Sequence, residues 1–235
     1  MTSRMKILAV IPARGGSKGI PRKNIALLRG RPLIAYTIDA ALAATSLERI
    51  IVSTDDVEIA AVSRGLGAEV LMRPAELARD ETSTVSVLQH VVAELVGTGY
   101  RPDAVMTLQP TSPLRTTTHI DEAARAFAND PLADSLVSCI EVPHVFHPQS
   151  VMRLTAEGSL VPFLDLPQPG RRQDKGSVFA RNGAAIYITS TERLGEFVFG
   201  GRLIPYMMPE AMSIDIDTPA DLAIAERLLD EESST

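Results

Sequence analysis

The feature of this sequence that most constrains its fold is a regular alternation of short apolar runs with helical patterns up to about residue 140. Five runs have the length of strands: Ile7–Pro12, Arg49–Ser53, Ala68–Leu71, Ala104–Leu108 and Leu136–Ile140. Between them, apolar residues recur at helical spacing in Leu33–Ala44, Val57–Arg64, Val85–Val96 and Ile120–Ala128. This order predicts right-handed crossovers and a mostly parallel, Rossmann-like sheet. Because the first run has no polar alternation, we expect helices on both faces, in a three-layer α/β sandwich.

The chain from residue 141 to 181 has a different character, with five prolines and little periodicity. A long irregular stretch of this kind is usually a functional loop, an arm or an oligomer contact. After it, further apolar runs predict strands at Ala184–Ile188, Leu203–Met208 and Ser213–Ile216. A final helix is expected from Pro219 to about Leu229, with Thr218 as its N-cap and residues 231–235 as a frayed tail.

Composition narrows the class of protein. The chain has 235 residues, of which 45% are hydrophobic and 22% charged, as expected for one folded domain spanning residues 1–235. The apolar run at the start ends at Arg14, without the length of a membrane span or the layout of a signal peptide, so we expect a cytoplasmic protein with no membrane partner. A single cysteine, Cys139, excludes an intrachain disulfide and a thiolate metal site.

Charge is distributed unevenly along the chain. The net charge is −6, yet residues 1–38 contain eight basic side chains and no acidic one. Such a cluster in an acidic protein favours a compact anion such as a phosphate over nucleic acid, and aromatic residues for base stacking are only 4% of the chain. Six cations between Arg14 and Arg31 are expected to repel one another unless an anion binds among them.

The loop from Ile11 to Asn24 follows the first strand, at the sheet edge where nucleotides bind in open parallel sheets. Its glycines, Gly15, Gly16 and Gly19, allow backbone N–H groups to approach phosphate oxygens. Positive charge comes from Arg14, Lys18 and Lys23. The loop is neither a Walker A sequence nor Gly-x-Gly-x-x-Gly, which excludes those two nucleotide-binding motifs. We therefore predict phosphate binding here, with a flexible solvated turn as the alternative.

Two carboxylates, Asp215 and Asp217, precede the final helix. On a strand they would project from the same side while Ile214 and Ile216 face the core. Paired carboxylates repel unless a cation lies between them, and oxygen ligands combined with phosphate suit Mg²⁺. The alternative is that either aspartate satisfies backbone N–H groups near the helix start.

A third polar segment, Leu108-Gln-Pro-Thr-Ser-Pro-Leu-Arg115, follows another predicted strand. Its two prolines restrict the loop, while Gln109, Thr111, Ser112 and Arg115 supply polar groups suited to a hydroxylated ligand. The residues fit equally well a stiff connecting loop whose polar side chains form hydrogen bonds with its own backbone.

Five ordered segments together resemble the acylneuraminate (sialic acid) cytidylyltransferases. They are Ala13-Arg-Gly-Gly-Ser-Lys-Gly-Ile-Pro-Arg-Lys-Asn24, Ile51-Val-Ser-Thr-Asp55, Arg73-Pro-Ala-Glu-Leu-Ala-Arg-Asp80, the Leu108–Arg115 segment and Ser213-Ile-Asp-Ile-Asp-Thr218. The likeness covers nearly the whole chain. It implies the nucleotide-diphospho-sugar transferase type of fold, with a dimerisation arm at about residues 141–181. It also implies Mg²⁺ as cofactor, held by Asp215 and Asp217.

The resemblance also implies roles for individual residues. Arg14 and Lys23 would hold the triphosphate of CTP, beside Gly15, Gly16 and Lys18 of the phosphate loop predicted above, and Asn24 would help to position the nucleotide. Arg73, which spacing alone places on the surface, would contact the cytosine and ribose with Thr82 and Thr84. Gln109 would contact the acylated sugar. Arg171 and Arg172, in the run Arg171-Arg-Gln-Asp174, would bind the sugar carboxylate, reaching a partner's site in a homodimer. On charge alone, a solvated loop fits this run equally well.

These expectations combine into one reaction. CMP would be transferred from CTP to the anomeric hydroxyl of a nine-carbon ulosonic acid, with Arg14, Lys23, Asp217 and Arg171 as the catalytic residues. Related acceptors stay open, namely legionaminic, pseudaminic, deaminated neuraminic and 3-deoxy-octulosonic acid, as does a non-catalytic nucleotide sensor. The proton acceptor is either Asp217 or a hydroxide on the metal.

Overall fold

The computed structural model describes residues 4–17, 19–165, 171 and 175–233. The strands in this part of the chain are β1 (Ile7–Pro12), β2 (Leu27–Leu28), β3 (Arg31–Pro32), β4 (Arg49–Thr54), β5 (Glu69–Met72), β6 (Ala104–Thr107), β7 (Ser135–Glu141), β8 (Met152–Leu154), β9 (Leu160–Pro162), β10 (Phe179–Arg181), β11 (Tyr187–Ser190) and β12 (Leu203–Met207). The helices there are α1 (Leu33–Leu42), α2 (Val57–Gly65), α3 (Thr84–Gly97), α4 (Thr117–Asn129) and α5 (Pro219–Ser233).

Across the described residues, eight strands form the central sheet in the order β10-β7-β11-β6-β1-β4-β5, with β12 also paired to β7. The pairs β1–β4, β1–β6 and β4–β5 are parallel, as predicted. β11 runs antiparallel between β6 and β7. The carboxyl ends of β1, β4, β5 and β6 therefore lie along one edge of the sheet.

Successive side chains of β1 pack on opposite faces of the sheet. Ile7, Ala9 and Ile11 join a core cluster with residues of α1, α2 and α4. Leu8 and Val10 join a second cluster with residues of α3. Both sets are buried, so the absence of polar alternation in this strand reflects helices on both faces. The predicted three-layer α/β sandwich is confirmed.

A smaller core joins the two ends of the chain. Ile20 and Leu28 pack with Ile216 and with Ala225 of α5. At Gly19, an added Cβ would lie 2.2 Å from the carbonyl oxygen of Asp217, so only glycine permits this approach without rearrangement. The loop after β1 is thereby held against the segment that carries Asp215 and Asp217.

The structure corrects three predictions of secondary structure. Residues 213–216 form no strand, because they pair with no neighbouring strand, and the Ile216 amide instead donates to the Thr111 carbonyl (2.8 Å). β11 begins only at Tyr187, since Gly183 and Ala184 have positive φ values of 73° and 64° that end the extended backbone. α5 continues to Ser233, so residues 231–233 are not a frayed tail.

The proline-rich stretch contains a short antiparallel hairpin of β8 and β9. Several apolar side chains in it and next to it are exposed, with Leu154 at 66%, Leu160 at 63% and Phe163, the residue after β9, at 58%. None of the helices among the described residues combines the length and apolar character needed for a bilayer span.

Candidate active site

A cleft of about 410 Å³ opens at the carboxyl ends of the parallel strands. It collects residues that follow different strands: Arg14 and Gly16 after β1, Arg73 after β5, and Gln109 after β6. Its lining also includes Ser17, Gly19, Lys23, Asn24, Leu77, Arg79, Asp80, Thr82, Thr84, Thr111 and Asp217. Most of the residues predicted for nucleotide binding thus surround one cavity.

The backbone of the loop after β1 is held by hydrogen bonds both within the loop and to Asp55. Asn24 is buried and donates from Nδ2 to the Arg14 carbonyl (3.0 Å), so it holds the loop as well as lining the cleft. The Gly15 amide donates to Asp55 Oδ1 (3.2 Å). At Gly16 an added Cβ would meet nothing within 4 Å, which leaves open space beside its backbone. Lys18 lies outside the described residues.

Lys23 joins the two ends of the chain at the cleft. Its Nζ donates to Asp217 Oδ1 and to the Ile216 carbonyl, both at 2.8 Å. The Lys23 side chain is only 16% exposed, whereas that of Asp217 is 74% exposed and lines the cleft. The basic loop near the start of the sequence and the acidic segment near its end therefore meet in one place.

Asp215 is half-buried beside this contact. Burial raises the pKa of the Asp215 carboxyl, and the charge of Asp217 adds to the rise, while a hydrogen bond from Thr111 and the charge of Lys23 oppose it. The left-handed turn at Gly183 allows a close approach, since an added Cβ there would lie 2.2 Å from Asp215 Oδ2. The ionised form of such a carboxyl is stabilised by a nearby cation.

The prediction that the cations near the N-terminus repel one another unless an anion binds among them is wrong. Each described cation between Arg14 and Arg31 forms an ion pair with a carboxylate distant in sequence or just beyond the basic segment: Arg14 with Asp80, Arg22 with Asp56 and Glu58, Lys23 with Asp217, Arg29 with Asp230, and Arg31 with Asp39. An anion is not needed to keep them together. Arg14 and Lys23 line the cleft, so position rather than charge density distinguishes them.

The far wall of the cleft is built around Arg73. Its side chain is only 4% exposed and lies 3.7 Å from Asp55, so the interpretation of Arg73 as a surface charge is wrong. Burial lowers the pKa of the Arg73 guanidinium, and the Asp55 carboxylate opposes that shift. Thr82 and Thr84 line the cleft with Arg73, and the Thr82 hydroxyl donates to the Glu76 carbonyl (3.1 Å).

Comparison with known proteins identifies the family. The cytidylyltransferase family model matches residues 8–164, which is more than half of the chain. The chain belongs to the cytidylyltransferase family. It is 36% identical over 223 residues to the N-acylneuraminate cytidylyltransferase of Escherichia coli O18:K1:H7, an alignment that covers 94% of this chain and 52% of that protein. The chain therefore spans about half the length of that relative.

Two further likenesses cover whole proteins. The CMP-N,N'-diacetyllegionaminic acid synthase of Legionella pneumophila is 34% identical over 239 residues, covering 96% of this chain and 97% of that protein. A CMP:2-keto-3-deoxy-manno-octonic acid synthetase complexed with CTP has a TM-score of 0.72 at 19% identity, covering 97% of this chain and 99% of that one. The second likeness confirms the type of fold.

The loop after β6 has two roles in the structure. Gln109 and Thr111 are among the residues that line the cleft. Arg115, by contrast, is 2% exposed and donates to the carbonyls of Gln109 (3.1 Å) and Ala185 (2.8 Å) and to the Thr37 hydroxyl (2.6 Å). Ser112 is fully buried. The prediction that Arg115 and Ser112 face a ligand is wrong, because both lie behind the wall of the cleft.

Of the two arginines predicted in the arm, only Arg171 is described, and it lies apart from the cleft. Arg171 is exposed and is not among the described residues that line the cavity. Arg172 lies outside the described residues. Sequence reasoning assigned no role to Arg79 and Asp80, which line the cleft. Only their place in the Arg73–Asp80 segment could have indicated them, because an ion pair between Arg14 and Asp80 leaves no pattern in sequence.

Proposed function

We propose that this protein transfers CMP from CTP to the anomeric hydroxyl of a sialic-acid-like nine-carbon ulosonic acid and releases pyrophosphate. The contact between Lys23 Nζ and Asp217 Oδ1 at 2.8 Å carries the proposal, because it brings a cation and a carboxylate to one nucleotide-sized cleft. Legionaminic, pseudaminic, deaminated neuraminic and 3-deoxy-octulosonic acids are alternative acceptors. A cytoplasmic location stays a prediction.

In this proposal the basic residues hold the triphosphate. Arg14 exchanges the Asp80 carboxylate for a phosphate oxygen, and Lys23 lies where it can neutralise phosphate while bound to Asp217. Lys18 is assigned the same task from the sequence. Phosphoryl transfer depends on positioning and charge neutralisation rather than on covalent participation by the protein, so such cations are what the reaction requires.

Asp215 and Asp217 are the residues that would hold Mg²⁺. They offer hard oxygen donors, and the raised pKa of Asp215 indicates a carboxyl that a cation would stabilise as an anion. Mg²⁺ is commonly bound by one or two carboxylates together with substrate phosphates, which are the donors that this pair and CTP would supply. The bound ion supplies positive charge to the reacting phosphates.

The remaining residues orient the two substrates. Arg73, Thr82 and Thr84 are assigned to the cytosine and ribose, and Gln109 to the sugar. The acceptor hydroxyl attacks the α-phosphorus as the bond to pyrophosphate breaks, and its proton passes to a base. Exposed Asp217 is one of the two candidates for that base that the sequence leaves open. Arg171 and Arg172 would reach the sugar carboxylate of a partner's site, in a homodimer formed through the exposed β8–β9 hairpin.

The proposal is tested by pyrophosphate release from CTP and Mg²⁺ with a panel of the five acid sugars. We expect release with at least one of them. In Asp217→Asn the rate of release should fall by about 100-fold or more, because a weaker hold on Mg²⁺ removes positive charge from the reacting phosphates. Asp230→Asn, at an exposed carboxylate of α5, is the matched control and should keep full activity. CTP binding without release for any sugar would favour the nucleotide sensor, and full activity of Asp217→Asn would contradict the metal assignment.

A further inference from the structure

Arg73 is a buried cation with a single close counter-charge. Its side chain is 4% exposed, and Asp55, 3.7 Å away, is its only ion-pair partner in the part of the chain that the structure describes. Arg73 Nε is buried and has no hydrogen-bond partner among the described residues. Burying a guanidinium without a counter-charge costs free energy, so the position of the Arg73 side chain depends on Asp55.

Asp55 also binds the other wall of the cleft. Its Oδ1 accepts a hydrogen bond from the Gly15 amide at 3.2 Å, in the loop assigned to the phosphates. The same carboxylate thus contacts the phosphate side and the base side of the proposed site. Asp55 is not itself among the described residues that line the cavity. Its influence on a ligand would therefore act through Gly15 and Arg73.

The sheet makes this bridge rigid. Asp55 and Arg73 are the first residues after the parallel strands β4 and β5, and the Arg73 amide donates to the Thr54 carbonyl at 2.8 Å. The two side chains are therefore presented by neighbouring strands in register, where Thr54 is paired with Met72. Groups held by strands are placed more precisely than groups on free loops.

The position of the Arg73 guanidinium matters for base choice. Cytosine presents two acceptors, N3 and O2, on the edge where uracil presents an N3–H donor. A guanidinium donates only, so it binds the cytosine edge and opposes the uracil donor, provided that it is held in place. A site built to hydrogen-bond one pattern rejects the other because its buried polar groups are then left unpaired.

We propose that Asp55 is a positioning residue that sets the preference of the site for cytosine over uracil, by holding the Arg73 guanidinium against the Gly15 loop. This inference rests on the proposed function for the identity of the nucleotide. It assigns Asp55 no contact with either substrate.

The test is equilibrium titration of the whole protein with CTP and with UTP in the presence of Mg²⁺. Asp55→Asn keeps an oxygen for the Gly15 amide but removes the charge that holds Arg73. We expect the ratio of CTP to UTP affinity to fall by about tenfold or more. Glu69→Gln is the matched control, because Glu69 pairs with Arg49 across the same two strands at their opposite ends. It should leave the ratio unchanged.

A double variant identifies the route of the effect. Asp55→Asn combined with Arg73→Ala should have the same nucleotide ratio as Arg73→Ala alone, because Asp55 acts through Arg73. If Asp55→Asn does not fold, Asp55→Glu displaces the charge by one methylene, and the same fall in the ratio is expected.

Three results would overturn the inference: equal affinity of the unaltered protein for CTP and UTP, an equal loss of affinity for both in Asp55→Asn, or additive effects in the double variant. The proposed function fails separately. A protein that prefers CTP in titration but releases no pyrophosphate with any sugar would refute the transfer reaction and leave the role of Asp55 standing.

Discussion

Side chains around the cleft are of two kinds, those that line the cavity and those that hold its walls. Arg115 belongs to the second kind, since its guanidinium binds two backbone carbonyls and one hydroxyl. Burial lowers its pKa, but an arginine remains charged in a protein, so these bonds retain a charged donor. The loop that presents Gln109 to the cleft is therefore anchored from behind.

We predict that Arg115→Met lowers the free energy of unfolding by about 3 kcal/mol, because it leaves buried carbonyls without donors. Urea denaturation followed by circular dichroism measures the loss. Arg125→Met, at an exposed position of α4, should change stability little. A variant with unaltered stability and weakened sugar binding would instead show that Arg115 contacts the ligand.

Some residue roles followed from the sequence and others could not. The loop from Ile11 to Asn24 is predictable as part of the site because its glycines and cations follow a buried strand, which is a local pattern. The counter-ions of those cations were not predictable, since Asp217 lies 194 positions from Lys23 and Asp80 lies 66 from Arg14. The topology of the fold brings these side chains together, and the spacing of charges along the sequence does not indicate which of them meet.

Among the helices and strands, α2 shows how local chemistry supports the edge of the site. Asp56 caps the helix by accepting from the amides of Glu58 (2.9 Å) and Ile59 (3.0 Å), and it pairs with Arg22. The pKa of Asp56 lies below its ordinary value of 3.8, and the hydrogen bond from the Ile59 amide is the largest cause. The same carboxylate lies where a side chain on Gly15 would collide with it.

Asp56→Ala should therefore lower the free energy of unfolding by about 1 kcal/mol at neutral pH. Because the folded-state pKa is depressed, this stabilisation is fully present above pH 3.8 and is lost as the pH falls through the folded-state value. Urea denaturation from pH 7 to pH 3 should show the two proteins converging only at the acid end. A difference that is constant with pH would contradict a role for the ionised cap.

The accuracy of the sequence predictions varied between elements for physical reasons. β1 was predicted with its observed bounds, because a strand buried on both faces is a continuous apolar run. Residues 213–216 alternate polar and apolar side chains as a strand does, but no neighbouring strand pairs with them. The turn at Gly183 and Ala184 was not predicted, since an alanine with positive φ is set by its surroundings and not by its own preference.

At the scale of the whole molecule, the exposed apolar side chains at the β8–β9 hairpin are the feature that the folding of one chain does not explain. Leu154, Leu160 and Phe163 are each more than half exposed, which is typical of a surface that contacts another protein. The proposed homodimer would cover them. The sequence predicted an arm in this region from prolines and lack of periodicity, but it could not indicate which side chains face outward.

We predict that the protein sediments as a dimer and that a double change, Leu154→Glu with Leu160→Glu, converts it to a monomer, because buried charge opposes association. Analytical ultracentrifugation measures the change. Leu132→Glu, at a residue that is 71% exposed between α4 and β7, is the control and should leave the dimer intact. A monomeric unaltered protein would refute this surface as an interface.

The joining of both chain ends at one triphosphate is tested most directly by a crystal structure of the protein with CTP and Mg²⁺. We expect phosphate oxygens within hydrogen-bond distance of Arg14 and Lys23, the metal on Asp215 and Asp217, and the cytosine beside Arg73. A triphosphate bound elsewhere, or one that contacts only one of the two ends, would contradict the account.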